Sequence, residues 1–240
     1  MAKKLKNMVL MIYFHMDLSY KLEVFMNKDE EKIIELQKKY LANDANGIAC
    51  DGDNFIIIEG KVPILLSAPH AVKHFRYGKD KQDDTSTGPL VEFICEKCST
   101  YGIIRTFNKN DDPNFDDNGY GLKYKNAIVK LVKEKGISCL LDIHACSDEH
   151  GFDINIGTND GKNINNDNFL EIIKTEFEKI GKVEVDKMFK ASGENTVCNY
   201  VHRNAEISCF QIEISASLRW KIRNLLKVEN SLEKIIKWII

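Results

Sequence analysis

The stretch Ile137-Ser-Cys-Leu-Leu-Asp-Ile-His-Ala145 follows a Lys135-Gly136 break and is apolar and β-prone around the acid and imidazole pair Asp142 and His144. A short continuous run of this kind suits a strand buried on both faces. Its polar residues fall at the carboxyl end, where open α/β sheets bind their ligands. Two other stretches have the same shape: Val62-Pro-Ile-Leu-Leu-Ser-Ala-Pro-His70, and Cys209-Phe-Gln-Ile-Glu-Ile-Ser215, which is apolar around Glu213. Three buried strands thus carry His, His and Glu, the side-chain inventory of a metal hydrolase.

The punctuation between these strands supplies the architecture. Helical spacing runs over Lys28–Leu41 (Ile33, Ile34, Leu36, Tyr40, Leu41), from Pro89 to Tyr101, over Leu122–Lys135 and over Phe169–Ile180, and a last helix spans about 216 to 239. Gly102–Phe107 and Asp153–Gly157 read as further strands, and strands are also predicted within 8–26. Alternation of strand and helix predicts a mostly parallel sheet with helices on its faces. With 240 residues and no linker, one α/β domain is expected: residues 1–60 add strands, a helix and a hairpin (Gly47–Cys50, turn Asp51-Gly52-Asp53, Phe55–Gly60), and 61–240 form the core.

Composition narrows the partners. The chain is 43% hydrophobic and 29% charged, as globular proteins are, and 34 Lys and Arg against 36 Asp and Glu leave a net charge of −2. That balance gives no bulk attraction to nucleic acid or an anionic membrane. Seven cysteines, several in apolar runs, point to a reducing compartment. Cys95-Glu-Lys-Cys98 has CxxC spacing but lies in a helical pattern with no second pair, short of the four ligands of a structural zinc site. Met1–Phe14 imitates a signal peptide, with an apolar run at the lower limit of length and no small-residue cleavage site, and no later stretch reaches the roughly 20 apolar residues of a membrane span. A soluble, cytoplasmic protein is expected.

His70 and His144 each end a predicted strand. A lone strand-end histidine is most often a satisfied polar residue. Two in matched settings, with one carboxylate from the polar loop 73–88, make a three-ligand metal site with a position left for water. Asp84 is the carboxylate chosen. Asp142, two residues before His144 and on the same side of its strand, serves as a supporting acceptor or as a ligand itself. Glu213, flanked by isoleucines, is the candidate general base, because desolvation raises a carboxyl pKa toward neutrality. Alternatively it pairs with a buried arginine, for which Arg203 and Arg219 are available. Arg76, Arg105, Arg203 and Arg219 are the candidates to hold a substrate carboxylate, and Arg76 is preferred for that or for an oxyanion. The long loop from Asn108 to Gly121 is long enough to be functional.

Taken together, Ser67-Ala-Pro-His70, Arg76, Lys81 to Asp84 with Thr87, Asp142-Ile-His144, the Asp153–Gly157 strand and Gln211-Ile-Glu213 occur in the order seen in the N-formylglutamate amidohydrolase family, which this sequence resembles from about Lys61 to Arg219. The resemblance implies a zinc-carboxypeptidase-like (phosphorylase/hydrolase-like) fold, one Zn2+ held by His70, Asp84 and His144, and Glu213 as the base. It favours Asp84 over Asp83 through the Asp-x-x-Thr spacing to Thr87. The activity implied is hydrolysis of a linear amide in a small N-acyl amino acid or short peptide bearing a carboxylate. Where family members carry an Asn-Arg pair after the third strand this chain has none, and Ala71-Val72 follows the first His in place of Ser-Gly. Cell-wall or poly-glutamate material is the alternative substrate, and a metal-free binding protein keeping the fold is the alternative outside catalysis.

Overall fold

A computed structural model of the chain describes residues 27–49 and 51–240, so the strands predicted within 8–26 and the basic, apolar start lie outside the described residues. Helix α1 (Lys28–Tyr40) opens on a capping box in which Glu30 N donates to Asn27 Oδ1 and Asn27 N to Glu30 Oε2. It turns Ile33 and Tyr40 inward and ends in a turn whose Asn43, Asp44 and Ala45 all have positive φ. Gly47 (φ +80°) closes the turn against the backbone at Thr106, whose carbonyl oxygen would lie 1.9 Å from a Cβ.

The elements that follow are β1 (Phe55–Ile58), β2 (Val62–Ala68), β3 (His74–Arg76), β4 (Lys79–Lys81), α2 (Thr87–Cys98), β5 (Thr100–Arg105), α3 (Gly119–Lys135), β6 (Cys139–Cys146), β7 (Ile154–Gly157), α4 (Asp167–Glu178), β8 (Val183–Val185), α5 (Val197–Ala205), β9 (Ser208–Ser215), α6 (Ala216–Arg219) and α7 (Ile222–Ile239). Seven strands form one sheet in the order β1-β5-β2-β6-β9-β7-β8. Its centre, β5-β2-β6-β9, is parallel; β1 on β5 and β7 on β9 are antiparallel. The predicted mostly parallel α/β sheet between helices is the fold found.

Three sequence expectations need correcting. Among the described residues, the hairpin expected over 47–60 is not found: Gly47 bridges Phe107 and β1 pairs with β5, so both arms pair with the distant stretch 102–107 rather than with each other. The polar stretch after His70 is not all loop, because β3 and β4 make a two-residue hairpin. The last helix is broken at Trp220-Lys221, where Lys221 is extended.

Side-chain alternation divides the sheet's faces. Ile64, Leu66, Leu141, Ile143, Phe210 and Ile212 join α1, α2, α4 and α7 in the larger core, whereas Leu65, Leu140 and Cys209 meet α3 and α5 in the smaller one. By the same period of two, Asp142, His144, Gln211 and Glu213 stand on the α3 and α5 side. In register, Asp142 lies opposite Gln211 and His144 opposite Glu213. Among the described residues no helix is long and apolar enough to cross a membrane.

Candidate metal centre

Two parallel strands bring the histidines together. His70 follows the end of β2 and His144 sits near the end of β6, strands that are hydrogen-bonded neighbours, and the ring centroids are 4.8 Å apart. Asp84 comes from the loop before α2. Its amide donates to the His70 carbonyl, and Thr87 caps the loop by donating from both its amide and its hydroxyl to the Asp84 carbonyl. The carboxylate is thereby delivered to both rings: Asp84 Oδ2 lies 3.1 Å from His144 Nδ1 and 3.4 Å from His70 Nδ1. One donor atom from each of the three residues lies within 4.8 Å of the other two. Two imidazole nitrogens and a carboxylate oxygen are the donor set that suits a divalent cation such as zinc.

Each ring is held from behind. His144 Nε2 lies 3.0 Å from Asp142 Oδ2, and His70 Nε2 lies 2.8 Å from Asp112 Oδ1. A carboxylate on the far nitrogen fixes the tautomer that leaves Nδ1 free to ligate. This geometry puts Asp142 on the side of His144 away from Asp84. Asp83 accepts from the Thr85 hydroxyl. Asp112 also takes Arg76 Nε at 2.6 Å and the Asn114 amide, and Asn114 in turn lies 3.2 Å from His144 Nε2 and accepts from Val197 N.

Charges in the cluster are strongly coupled. Burial favours the neutral imidazoles, but Asp112 and Asp84 outweigh it at His70, and Asp142 and Asp84 outweigh it at His144, so both pKa values are raised. Burial also opposes ionisation of Asp84, yet the hydrogen bonds from His144 and His70 hold it below the usual carboxylate range. At Glu213 burial wins: with His144 lowering it and Asp84 raising it, the carboxyl is pushed up to about 7. Gln211 Nε2 donates to Glu213 Oε1 at 2.8 Å.

A second cluster, His70, His74 and Asp112, shares one ring with the first. His74 stacks on His70 with centroids 3.8 Å apart, and burial together with His70 holds its pKa well down. A cation here would need the Nε2 edge of His70 and a carboxylate already neutralised by Arg76 at 2.6 Å. The Asp84 cluster is therefore the candidate centre.

The arginines divide sharply. Arg76 lines the same cavity of about 450 Å³ as His70, Asp84, His144 and Glu213. Arg105 is wholly buried and spends its guanidinium on Asp111, Asn108 and the Pro69 carbonyl, which braces the chain on both sides of the His70–Asp112 contact. Arg219 donates to the carbonyls of Ile214, Thr85 and Cys146, and Arg203 pairs with Glu194. Glu213 thus takes its hydrogen bond from Gln211, and Arg203 and Arg219 bond elsewhere. The two cysteines of the CxxC stretch take no part either: Cys95 donates to the Tyr101 carbonyl, and burial raises both thiols.

Asp112, Asn114 and His74 went unflagged in the sequence. Asp112 and Asn114 sit in the Asn- and Asp-rich loop 108–121, where no periodicity separates one acid from the next. The signal present was the loop's length.

No family model matches the sequence and no curated protein matches it. Solved structures do share its fold. N-formylglutamate amidohydrolase from Ralstonia eutropha JMP134 superposes with a TM-score of 0.58 at 14% identity, over 78% of this chain and 97% of that one. A bacteriophage poly-gamma-glutamate hydrolase gives 0.51 at 13% identity, over 80% and 92%. A gene product of Agrobacterium tumefaciens gives 0.53 at 13% identity, over 78% and 94%. The fold implied by the resemblance is the fold these proteins have.

Proposed function

We propose that this chain is a zinc-dependent amide hydrolase, of the N-formylglutamate amidohydrolase kind, that cleaves the linear C–N bond of a small N-acyl amino acid or short peptide. The observation that carries the reading is the convergence of His70 Nδ1 and His144 Nδ1 on Asp84 Oδ2, with Glu213 facing the same cavity. The fold it shares with hydrolases of N-formylglutamate and poly-gamma-glutamate supports it. His70, Asp84 and His144 would hold one Zn2+ per chain. Bound there, the ion supplies Lewis acidity, polarising an amide carbonyl and acidifying water.

The chain's own residues divide the remaining work. Asp112 and Asp142 orient the two imidazoles. Glu213, its pKa lifted to about 7 by burial, takes a proton from water as the oxygen adds to the carbonyl carbon. It returns that proton to the nitrogen as the C–N bond breaks, leaving an acid and an amine. Gln211 fixes the carboxylate that makes both transfers. Arg76, anchored by Asp112, and Lys81 put positive charge on the cavity wall, where it favours a substrate carboxylate or the oxyanion of the addition step.

Metal content by plasma mass spectrometry tests the reading, on untagged wild type and on His70→Ala, Asp84→Ala and His144→Ala. About one zinc per chain, lost in each folded variant, together with hydrolysis of N-formyl or N-acetyl amino acids, is the expected result. A folded wild type that takes up no zinc overturns it.

A further inference from the structure

The β3–β4 hairpin holds a residue its turn does not favour. With Arg76 paired to Lys79, the two-residue loop is Tyr77-Gly78, and both residues have positive φ, +55° and +72°. Such turns select Asn-Gly, because a bulky side chain is strained in the left-handed region. Here the strained position carries a tyrosine that remains 75% exposed. Its ring packs against Phe115, itself 39% exposed, with centroids 4.7 Å apart at 64°. Two exposed aromatic rings held together at a strained turn give up both turn propensity and burial, so folding alone does not explain them.

The pair adjoins the candidate centre through its chain neighbours. Arg76, next to Tyr77, and Asn114, next to Phe115, both line the metal-site cavity, and the Arg76 guanidinium carbon lies 5.8 Å from the Phe115 ring centroid. Phe189 lines the same cavity, its own ring packed on His150 and Phe152. The interior is therefore polar, with aromatic groups in its wall and beside it.

We propose that Tyr77 and Phe115 form a recognition rim for an aromatic ring of the substrate, so that the preferred substrates are amides of aromatic amino acids. The inference rests on the hydrolase reading above and narrows it. Edge-to-face rings accept a third ring readily, and the adjacent guanidinium adds a stacking surface.

The test uses zinc-loaded protein and three probes, N-acetyl-L-phenylalanine, N-acetyl-L-glutamate and N-acetyl-L-alanine. Wild type is expected to favour the phenylalanine amide by about tenfold in kcat/KM over each of the others, mainly through KM. Tyr77→Ala and Phe115→Ala each reduce that preference severalfold, whereas Trp238→Ala, a comparably exposed aromatic on α7, leaves it intact. Equal kcat/KM for the three amides, or a preference that survives both rim variants, overturns the rim. If none is hydrolysed, calorimetric binding of N-acetyl-L-phenylalanine decides. Binding weakened by the rim variants sustains recognition of the aromatic ring and places the failure in the acyl group rather than in the rim. No binding, or binding that both rim variants leave unchanged, overturns the rim.

Discussion

His70 and His144 present the same Nδ1 edge to Asp84 and rest the same Nε2 edge on a buried aspartate, yet the chain reaches those aspartates by opposite routes. Asp142 is two residues from His144 in one strand, so the pleat alone sets their geometry. Asp112 is 42 residues from His70 and arrives on a loop. That loop is braced by Arg105 on Asp111, by Asp116 on the Asp112 amide, and by Lys125, whose Nζ donates to the carbonyls of Asp116 and Asn195. One support is part of the sheet; the other is assembled by tertiary contacts and also anchors Arg76.

Deleting a ring abolishes the difference between the two sides. His70→Ala and His144→Ala should each cost far more than the 10- to 100-fold in metal affinity associated with losing a supporting partner, read as zinc retained after dialysis. Glu213→Gln should spare the metal on both sides while lowering kcat by about 10² to 10⁴, which separates the base from the ligands in a paired assay of zinc and turnover.

The supports themselves sharpen the contrast. Asp142→Asn and Asp112→Asn should each weaken zinc binding by roughly 10- to 100-fold in a competition titration with a chelator. Only Asp112→Asn should also raise KM, because only Asp112 holds Arg76. An equal effect of both on KM would remove Arg76 from substrate binding. The smallest expected change is in pH dependence. A carboxyl raised to about 7 is a competent base above that pH and is protonated below it, so kcat/KM should fall by about tenfold per unit as pH drops below 7. Glu213→Gln should flatten that limb.

The same contrast explains what the sequence disclosed. His144, Asp142 and Glu213 were legible because a buried strand is a short apolar run in which a polar residue stands out, and a period of two assigns its side. His70 was legible as the end of such a run. Asp112 was hidden among Asp111, Asp116 and Asp117, since its identity depends on a contact made across the fold. The hairpin expected over 47–60 failed for the related reason that local turn residues cannot reveal the distant stretch 102–107 as the common partner. Arg105 looked available for substrate because a sequence does not show that a guanidinium is fully buried.

Arg219 has a further consequence. Its guanidinium ties together the ends of β9 and β6, through Ile214 and Cys146, and the Asp84 loop, through Thr85. These segments carry Glu213, His144 and Asp84. The entropy of ordering that loop is therefore lost when the protein folds and not when a ligand arrives. Under the proposed function a cation would meet a preformed cup, with little folding coupled to binding.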